Sequence, residues 1–385
     1  MKICFLSSKH SSLDKRIFAK EAVSLAKNGF EVLHIAPDKG VSEFVEDGVR
    51  IITYKQTHKM TARLLQIPRL YRIASNIDAD CYHCNEVDSW IIGVLLKLIH
   101  QKQVVFDVHE LYSDAFPRDH FPAWVYPYMS FMLRQFFRVF SCFTDRLVLA
   151  NKALAVDFPE TEKKQVLVQN FSSINDMRLK QVSKIRRNYN ASQKMYTAIH
   201  LGHISRVRGW PQLLEALALM ESKNICLLIV GSFNDDSQEE FERRVRQLGL
   251  YGRVFIEEWM PFPQALERIL TSDFGLILFQ PGLLSHVIGL PHKLFDYMLG
   301  GLPVIAPEFA QQIATIIENA DCGILIDSSD SKQIAEALER LASDPKERER
   351  LGNNGRYAVL NEFNWETEAL KLVSMYVELE KNLNK

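Results

Sequence analysis

The chain has 385 residues, of which 47% are hydrophobic and 24% charged, and its formal net charge is −1. This length predicts two domains, and the composition is typical of a soluble globular enzyme. The near-neutral charge offers no general basic surface for nucleic acid, and no apolar run is as long as a membrane span. We therefore expect a cytoplasmic protein that has no nucleic-acid partner.

The cysteines and the acidic pairs give little reason to expect a metal. The six cysteines lie mostly in apolar runs, which favours reduced, buried thiols. Two of them form Cys81-Tyr-His-Cys84, but no second cysteine pair exists to complete a zinc site. Asp78-Ala-Asp80, just before this strand-like segment, is better explained as a polar turn. We expect neither a metal nor a cofactor.

The N-terminal residues predict a strand–helix–strand unit. Lys2–Ser7 is the first strand, a helix covers about residues 15–28, Gly29 ends it, and Glu31–Ala36 is the second strand. The unit lacks the G-x-G-x-x-G loop of nicotinamide-binding domains. A dehydrogenase is therefore disfavoured.

Two later segments combine apolar side chains with arginines. Residues 60–75 predict a basic amphipathic helix that Pro68 kinks or splits. Residues 116–143 are rich in aromatic side chains and contain Arg118, Arg134 and Arg138. Rings and arginines together suit a membrane interface. For residues 116–143 we favour a core helix packed on two sides, with the membrane interface as the alternative.

A group of titratable residues follows the strand predicted at Val104–Asp107. Asp107, His109 and Glu110 place two carboxyl groups and an imidazole at the carboxyl end of this strand. Such a group is a plausible catalytic constellation. A core or capping role is the alternative for His109.

The second half of the chain repeats the alternation of strand and helix. We expect residues 1–172 to form the first domain, polar residues 173–194 a linker, and residues 195–365 the second domain. A C-terminal helix over residues 366–385 is expected to pack back on the first domain. Alternating strands and helices predict parallel sheets in both halves.

Two loops of the second half are suited to phosphate. Gly202 to Gly209 lead from the strand Tyr196–Leu201 into a helix, and Arg206 and Arg208 can clamp a diphosphate. The segment Phe279–Pro307 predicts a strand end, a loop, a helix, a turn and a strand. The backbone N–H groups before its helix and the helix dipole favour a bound phosphate.

These motifs resemble those of family-four retaining glycosyltransferases. The segment Pro291-x-Lys293-Leu-Phe-Asp-Tyr-Met-x-x-Gly301-x-Pro303-Val-Ile resembles the donor-site motif of that family. The resemblance covers nearly the whole chain and is specific at residues 14–29, 200–209 and 289–306. It implies an α/β protein with the GT-B fold, in which two Rossmann-like domains with parallel sheets face a deep interdomain cleft.

The resemblance also implies roles for individual residues. A glutamate of the family at the position of Asp296 holds ribose, and a second glutamate eight residues earlier touches the sugar, where this chain has Ile288. Arg208 stands at a usual lysine position, and His203 stands where arginine is common. Asp14 and Arg16 match an N-terminal motif, with helix capping and a surface ion pair as the alternative. The predicted catalytic residues are Asp107, His109, Glu110 and Arg208; the donor-binding residues are Gly202, His203, Arg206, Ile256, Ser285, His286, Gly289, Leu290, Lys293 and Asp296; the acceptor-side residues are Asp14 and Arg16.

The implied reaction is retaining transfer of a sugar from a UDP- or GDP-linked donor to a glycan or lipid-linked acceptor, without a metal, in bacterial surface polysaccharide or glycoconjugate synthesis. Contact of residues 60–75 and 116–143 with the inner face of the membrane would bring the enzyme to a lipid-linked acceptor. One alternative is a nucleotide-sugar epimerase of the same fold. Another is a non-catalytic nucleotide-binding relative that partners a glycosyltransferase, which Ile288 favours.

Overall fold

The computed structural model describes residues 1–57, 60–174 and 195–383. The chain divides into two compact units. Unit 1 comprises Met1–Asn170 and Trp365–Lys385, and unit 2 comprises Phe171–Asn364. The expected linker lies almost entirely outside the described residues. Among the described helices, none combines the length and apolar character needed to cross a bilayer.

Unit 1 is built on an eight-stranded sheet with the order β3-β4-β2-β1-β5-β6-β7-β8. Its strands are β1 Lys2–Leu6, β2 Glu31–Asp38, β3 Glu43–Glu46, β4 Val49–Lys55, β5 Cys81–Cys84, β6 Gln103–Val108, β7 Arg146–Leu149 and β8 Gln165–Leu167. The chain moves outward from β1 in one direction and from β5 in the other. The boundary between β1 and β5 is therefore a topological switch point, where open α/β sheets bind ligands at the strands' carboxyl ends.

One pair of strands departs from the parallel arrangement predicted for this half. β3 and β4 pair antiparallel, whereas the other neighbouring strands of this sheet are parallel. Asp47 and Gly48 join them, with φ values of 46° and 81°. Two residues with positive φ make a tight turn of a kind that favours hairpins, and Asp-Gly is a preferred sequence there.

Two helical segments of unit 1 are divided differently from the prediction. The helices of this unit are a π-helical turn Ile17–Ala22 that continues into α1 Val23–Lys27, then α2 Met60–Ile77, α3 Val87–His100, α4 Tyr112–His120, α5 Tyr126–Cys142 and the C-terminal helix Trp365–Leu383. Pro68 lies inside α2 without ending it. Residues 116–143 are divided between α4 and α5, because Phe121 precedes Pro122 and adopts an extended conformation.

The C-terminal helix belongs to the core of unit 1. Trp365, Leu372 and Tyr376 are buried in one cluster with residues of β1 and the first helical segment. The Tyr376 hydroxyl lies 2.6 Å from Nδ1 of His83, a residue of β5. Burial of these apolar side chains of the C-terminal helix against the sheet stabilises unit 1.

Unit 2 is a second α/β layer structure with a six-stranded parallel sheet. Its order is β11-β10-β9-β12-β13-β14, with β9 Tyr196–Leu201, β10 Ile225–Val230, β11 Val254–Glu257, β12 Phe274–Leu276, β13 Val304–Pro307 and β14 Gly323–Ile326. Its helices are α6 Trp210–Leu219, α7 Gln238–Gln247, α8 Phe262–Leu270, α9 Leu284–Ile288, α10 His292–Gly300, α11 Gln311–Ala320, α12 Ser331–Ser343 and α13 Pro345–Asn361. Apolar clusters cover both faces of the sheet. The switch point lies between β9 and β12.

Candidate active site

Unit 2 holds two neighbouring cations near the carboxyl ends of β9 and β12. Arg208 belongs to a short 3₁₀ turn after β9, and Lys293 lies in the first turn of α10. The Arg208 guanidinium carbon is 5.7 Å from the centroid of the Phe279 ring, and Lys293 Nζ is 6.0 Å from it. Both cations therefore approach one aromatic ring.

Neither cation has a carboxylate partner in the described part of the chain. The Lys293 side chain is buried, and its Nζ atom makes no hydrogen bond to a described residue. Burial, reinforced by the charge of Arg208, holds the pKa of Lys293 well below its usual range. Burial also lowers the pKa of Arg208. Because a buried charge without a partner is costly, a bound anion would favour the charged form of Lys293, and the arrangement is suited to binding one.

The backbone around these cations is closely packed. Gly209 has φ +82°, and a Cβ atom there would lie 2.3 Å from the carbonyl oxygen of Leu278. A Cβ atom on Gly289 would lie 2.1 Å from the carbonyl oxygen of Ser285. α10 begins just after Pro291, so its first N–H groups and its dipole add positive potential beside Lys293.

The predicted donor residues of unit 2 differ in how fully their side chains are already engaged. Arg206 is exposed and pairs with Asp236 and Glu240. The Oδ1 atom of Asp296 accepts a hydrogen bond from Ser172 Oγ at 2.5 Å, and the carboxyl group is buried. Arg206 thus has carboxylate partners, whereas Arg208 has none among residues 1–57, 60–174 and 195–383.

The other predicted donor residues line the same loops or the sheet edge. The His286 ring stacks on Phe279 at 4.3 Å, and Nδ1 lies 3.0 Å from the carbonyl oxygen of Gln280. The His203 carbonyl lies 3.2 Å from Nε2 of His200. Ile256 is on the edge strand β11 and is 45% exposed. The remaining members, Gly202, Ser285 and Leu290, lie in or beside the loops that follow β9 and β12.

In unit 1, Arg16 is part of a buried charge cluster. Its Nη2 donates to Oδ1 of Asp107 at 3.0 Å, and its Nη1 donates to the Val168 carbonyl at 3.1 Å. Its Nε lies 3.0 Å from Oε1 of Glu21. Asp14 Oδ1 accepts the N–H groups of Arg16 and Ile17, at 2.8 and 2.9 Å. The structure therefore places Asp14 at the start of a helical segment and Arg16 in the interior, rather than in a surface ion pair.

Asp107 and His109 lie together at the carboxyl end of β6. Nε2 of His109 is 3.4 Å from Oδ2 of Asp107. Burial lowers the pKa of His109 to about 4, and this effect outweighs the attraction of Asp107. His109 is therefore neutral near pH 7. Glu110, the next predicted residue, is exposed and lines a cavity with His109.

This cavity has a volume of about 520 Å³ and lies wholly within unit 1. Its lining residues are Lys9, His10, Arg63, Glu86, Val87, Asp88, Ile91, His109, Glu110, Tyr112, Ala115, Phe116, His120, Leu133 and Phe137. Of its polar members, sequence reasoning identified His109 and Glu110 as site residues and missed the others, among them His10, Glu86 and Asp88. The available signal was position, since His10 follows β1 and Glu86 follows β5, on either side of the switch point.

Glu86 is the most heavily bonded of these residues. It accepts the backbone N–H groups of Ser8, Lys9 and His10 at 2.8, 2.9 and 3.0 Å. Its Oε1 also lies 2.8 Å from Nδ1 of His10. Burial alone would raise its pKa, but the bonds from His10 and the backbone lower it to about 2. Glu86 is therefore a carboxylate at neutral pH.

The predicted membrane segments contribute differently to unit 1. Arg63 of α2 donates to Oδ2 of Asp88 at 2.8 Å, so this arginine belongs to the cavity wall. α5 buries Phe137 but exposes Tyr128 and Phe131, and Trp124 just before it is 84% exposed. A helix packed on two sides is therefore not what the structure shows.

Comparisons with known proteins agree along most of the chain. A family model described as "Glycosyl transferases group 1" matches residues 181–358, and one described as "Glycosyl transferase 4-like" matches residues 2–142. The chain is 24% identical over 247 residues to the capsular polysaccharide biosynthesis glycosyltransferase CapM of Staphylococcus aureus, covering 61% of this chain and 62% of that protein. It is 28% identical over 191 residues to spore coat protein SA of Bacillus subtilis, covering 48% of each. The chain thus spans between about half and three fifths of the length of these relatives.

Solved structures share the fold over nearly the full length. A sucrose-phosphate synthase from Thermosynechococcus elongatus superposes with a TM-score of 0.72 at 19% identity, covering 99% of this chain and 100% of that one. Anabaena HepE in complex with UDP superposes with a TM-score of 0.70 at 16% identity, covering 98% and 100%. At these identities the likeness establishes the architecture alone.

Proposed function

Because the chain belongs to the glycosyl transferases group 1 family and has the GT-B fold, we propose that it transfers a sugar from a nucleotide-sugar donor to an acceptor with retention of anomeric configuration. The observation that carries this proposal is the pair Arg208 and Lys293, two adjacent cations at the switch point of unit 2 without carboxylate partners among the described residues. The diphosphate of a nucleotide-sugar supplies the missing negative charge. HepE, with the same fold, has been solved with UDP.

The same residues stabilise the leaving group. As the bond between the sugar and the diphosphate breaks, negative charge grows on the phosphate oxygens. Arg208, Lys293 and the N–H groups at the start of α10 are already in place to meet that charge, so little reorganisation is needed. We propose a UDP- or GDP-linked donor and a reaction that requires no metal.

Unit 1 supplies the acceptor side of this proposal. His109 is neutral and faces the cavity, so its imidazole can hydrogen-bond a sugar hydroxyl, and Asp107 is close enough to orient it. The acceptor is a glycan or a lipid-linked sugar of bacterial surface polysaccharide or glycoconjugate synthesis. CapM, by its name, serves capsular polysaccharide biosynthesis.

Peripheral membrane contact is part of the proposal for a lipid-linked acceptor. Trp124 just before α5 and Tyr128 and Phe131 of α5 are exposed, and the helix also carries Arg134 and Arg138, of which Arg138 pairs with Glu160. Exposed rings beside arginines suit the interface of an anionic bilayer. The helix also supplies Phe137 to the cavity, so a lipid chain and its sugar would meet the same part of unit 1.

A nucleotide screen tests the donor assignment. The unfolding temperature of the full chain should rise with UDP, GDP or ADP, or with one of their sugars, since a ligand that binds only the native state stabilises it. The corresponding nucleoside without phosphates should give a smaller shift. An absence of any nucleotide-dependent shift at millimolar concentration contradicts the proposal.

The comparisons favour neither alternative, and each would behave differently with a nucleotide-sugar. An epimerase converts the nucleotide-sugar in the absence of an acceptor, and a non-catalytic relative binds nucleotide without turnover. Ile288, which cannot hydrogen-bond through its side chain, is the feature that favours the second of these. Release of nucleotide diphosphate that depends on an added acceptor supports transfer over both.

A further inference from the structure

The cavity of unit 1 contains a second imidazole–carboxylate pair besides His109 and Asp107. His10, in the loop after β1, contacts Glu86, the residue that precedes α3. The rings of His10 and His109 lie edge to face, with their centroids 5.5 Å apart. Two imidazoles, each with a carboxylate beside it, therefore border the same cavity.

Glu86 fixes the orientation of His10 in two ways. It holds the backbone of the loop through the N–H groups of Ser8, Lys9 and His10, and it holds the ring through Nδ1. Because Glu86 is a carboxylate, Nδ1 carries the proton in this contact. That leaves Nε2 available on a side chain that is 32% exposed at the cavity wall.

The lining of the cavity also includes apolar side chains. They are Val87, Ile91, Phe116, Leu133 and Phe137. A cavity lined by both polar groups and aliphatic or aromatic groups suits a ligand of the same mixed character. A sugar linked to an apolar group has that character.

We propose that His10, oriented by Glu86, binds the reacting hydroxyl of the acceptor in the cavity of unit 1, and that the acceptor is a sugar carrying an apolar substituent. The proposal rests on the proposed glycosyl transfer and deepens it. Unprotonated Nε2 accepts a hydrogen bond from the hydroxyl, while Glu86 retains the Nδ1 proton. His10 is thus a binding residue for the acceptor, and Glu86 is a positioning residue that acts through it.

The charges around His10 determine how this contact varies with pH. Burial lowers the pKa of His10, but the hydrogen bond and charge of Glu86 outweigh burial and raise it above the ordinary value. The other titratable or charged groups near the ring and cavity are Lys9, Asp14, Arg63, Asp88, His109, Glu110, Tyr112 and His120. Nε2 can accept a hydrogen bond only after it loses its proton. Acceptor binding should therefore strengthen as the pH rises through the pKa of His10.

Octyl β-D-glucoside, below its micellar concentration, is the probe for this test. Its binding to the full chain is measured by histidine side-chain NMR between pH 5.5 and 8.5. His10→Gln should weaken binding about ten-fold, the scale of one lost hydrogen bond, and should remove the pH-dependent step. Glu86→Gln should move that step to lower pH, because the neutral amide no longer stabilises the imidazolium. His100→Gln, at an exposed histidine at the end of α3 that does not belong to the cavity lining given above, should change neither quantity.

Three results would overturn the proposal. They are an unchanged pH step in His10→Gln, parental affinity in that variant, and a parent protein in which Nε2 rather than Nδ1 of His10 carries the neutral ring's proton. The tautomer of His10 is determined from the ¹⁵N chemical shifts of the parent protein alone. It therefore tests the proposal even if Glu86→Gln fails to fold. Nucleotide-induced thermal shifts, measured on the same samples, test unit 2 separately. Their absence in the parent would contradict the proposed donor and leave the result for His10 intact.

Discussion

Lys293 is buried and Arg208 is partly buried, and neither has a carboxylate partner among the described residues, so an arriving diphosphate relieves an existing cost. Arg208→Ala should weaken binding of a nucleoside diphosphate by about 1.5–3 kcal/mol, the range for hydrogen bonds to charged groups. Isothermal titration measures this loss. Arg206→Ala is the matched control, because Arg206 already pairs with Asp236 and Glu240. Equal losses for the diphosphate and the free nucleoside would show damage to the fold instead.

Asp296 offers a test that separates ligand contact from packing. Asp296→Asn keeps the shape of the side chain and removes its charge, so affinity for a ribonucleotide should fall more than affinity for the 2′-deoxy form. Direct titration with both ligands measures the difference. Ser172→Ala removes the hydroxyl that donates to Asp296 and serves as the comparison. Equal losses for the two ligands would assign Asp296 a structural role.

His109 is the residue of unit 1 whose removal should affect turnover most. A contact made mainly in the transition state lowers turnover more than binding. His109→Ala should therefore reduce transfer at saturating substrates by about two orders of magnitude, the scale of a positioned catalytic group. Nucleotide affinity should stay close to that of the parent, because the proposed nucleotide site is on unit 2. Near-parental turnover in a folded variant would exclude a catalytic role.

At the scale of elements, α5 and Trp124, which lies two residues before it, expose several aromatic rings. Replacing both Trp124 and Phe131 by glutamine should reduce binding to phosphatidylglycerol vesicles by about ten-fold, since two exposed rings would no longer insert among the lipids. Co-sedimentation measures the bound fraction. Tyr251→Gln, at a ring of unit 2 that is 81% exposed, should leave it unchanged. Equal binding by all three proteins would rule out membrane contact through α5.

The alternation of apolar strands with amphipathic helices was enough to predict two α/β halves. Both the spacing of apolar residues within an element and the order of the elements can be read directly from one sequence. The β3–β4 hairpin was missed although Asp47-Gly48 is a turn signal, since only its positive φ values make the antiparallel pair evident. The division between α4 and α5 at Phe121–Pro122 could also have been predicted, because a residue before proline disfavours the helical conformation.

The candidate site was less predictable than the fold. Lys293 was identified from its motif, but its lack of a described hydrogen-bond partner depends on which side chains surround it. Arg16 matched a motif as well, yet its partner Asp107 is 91 residues away in the chain. His10 and Glu86 are 76 residues apart. Contacts between residues so far apart in the chain depend on the order of the strands in the sheet, which cannot be predicted from the local pattern of a single sequence.

At the scale of the whole molecule, buried neutral histidines make the free energy of unfolding depend on pH. His34 lies 2.9 Å from the Ser7 hydroxyl through Nε2 and 3.1 Å from the Ser12 carbonyl through Nδ1, contacts that suit the neutral ring. Burial lowers its pKa to about 4, as it does for His109. The unfolded chain titrates these rings near 6.5, so it binds more protons than the native state between about pH 6.5 and 4.

The free energy of unfolding should therefore fall with decreasing pH in that window, by about 1.4 kcal/mol per pH unit for each such proton difference. Urea unfolding of the full chain at several pH values measures the slope. His34→Gln should reduce it, whereas His120→Gln, at an exposed residue, should not. A stability that is flat from pH 6.5 to 4 would show that the native state protonates these rings as readily as the unfolded chain.

The position of the C-terminal helix in the sequence also determines which unit can complete its core first during synthesis. During synthesis, residues 1–170 leave the ribosome first, but the helix that covers their sheet follows only after all of unit 2 has been made. Until then, the apolar side chains that Leu372 and Tyr376 will cover lack their final partners. Unit 2 is one continuous stretch and can complete its core as soon as it emerges. Unit 1 is therefore translated first but completes its core last. Its apolar surface stays exposed for longer than that of unit 2, which makes unit 1 the more prone to aggregation during synthesis.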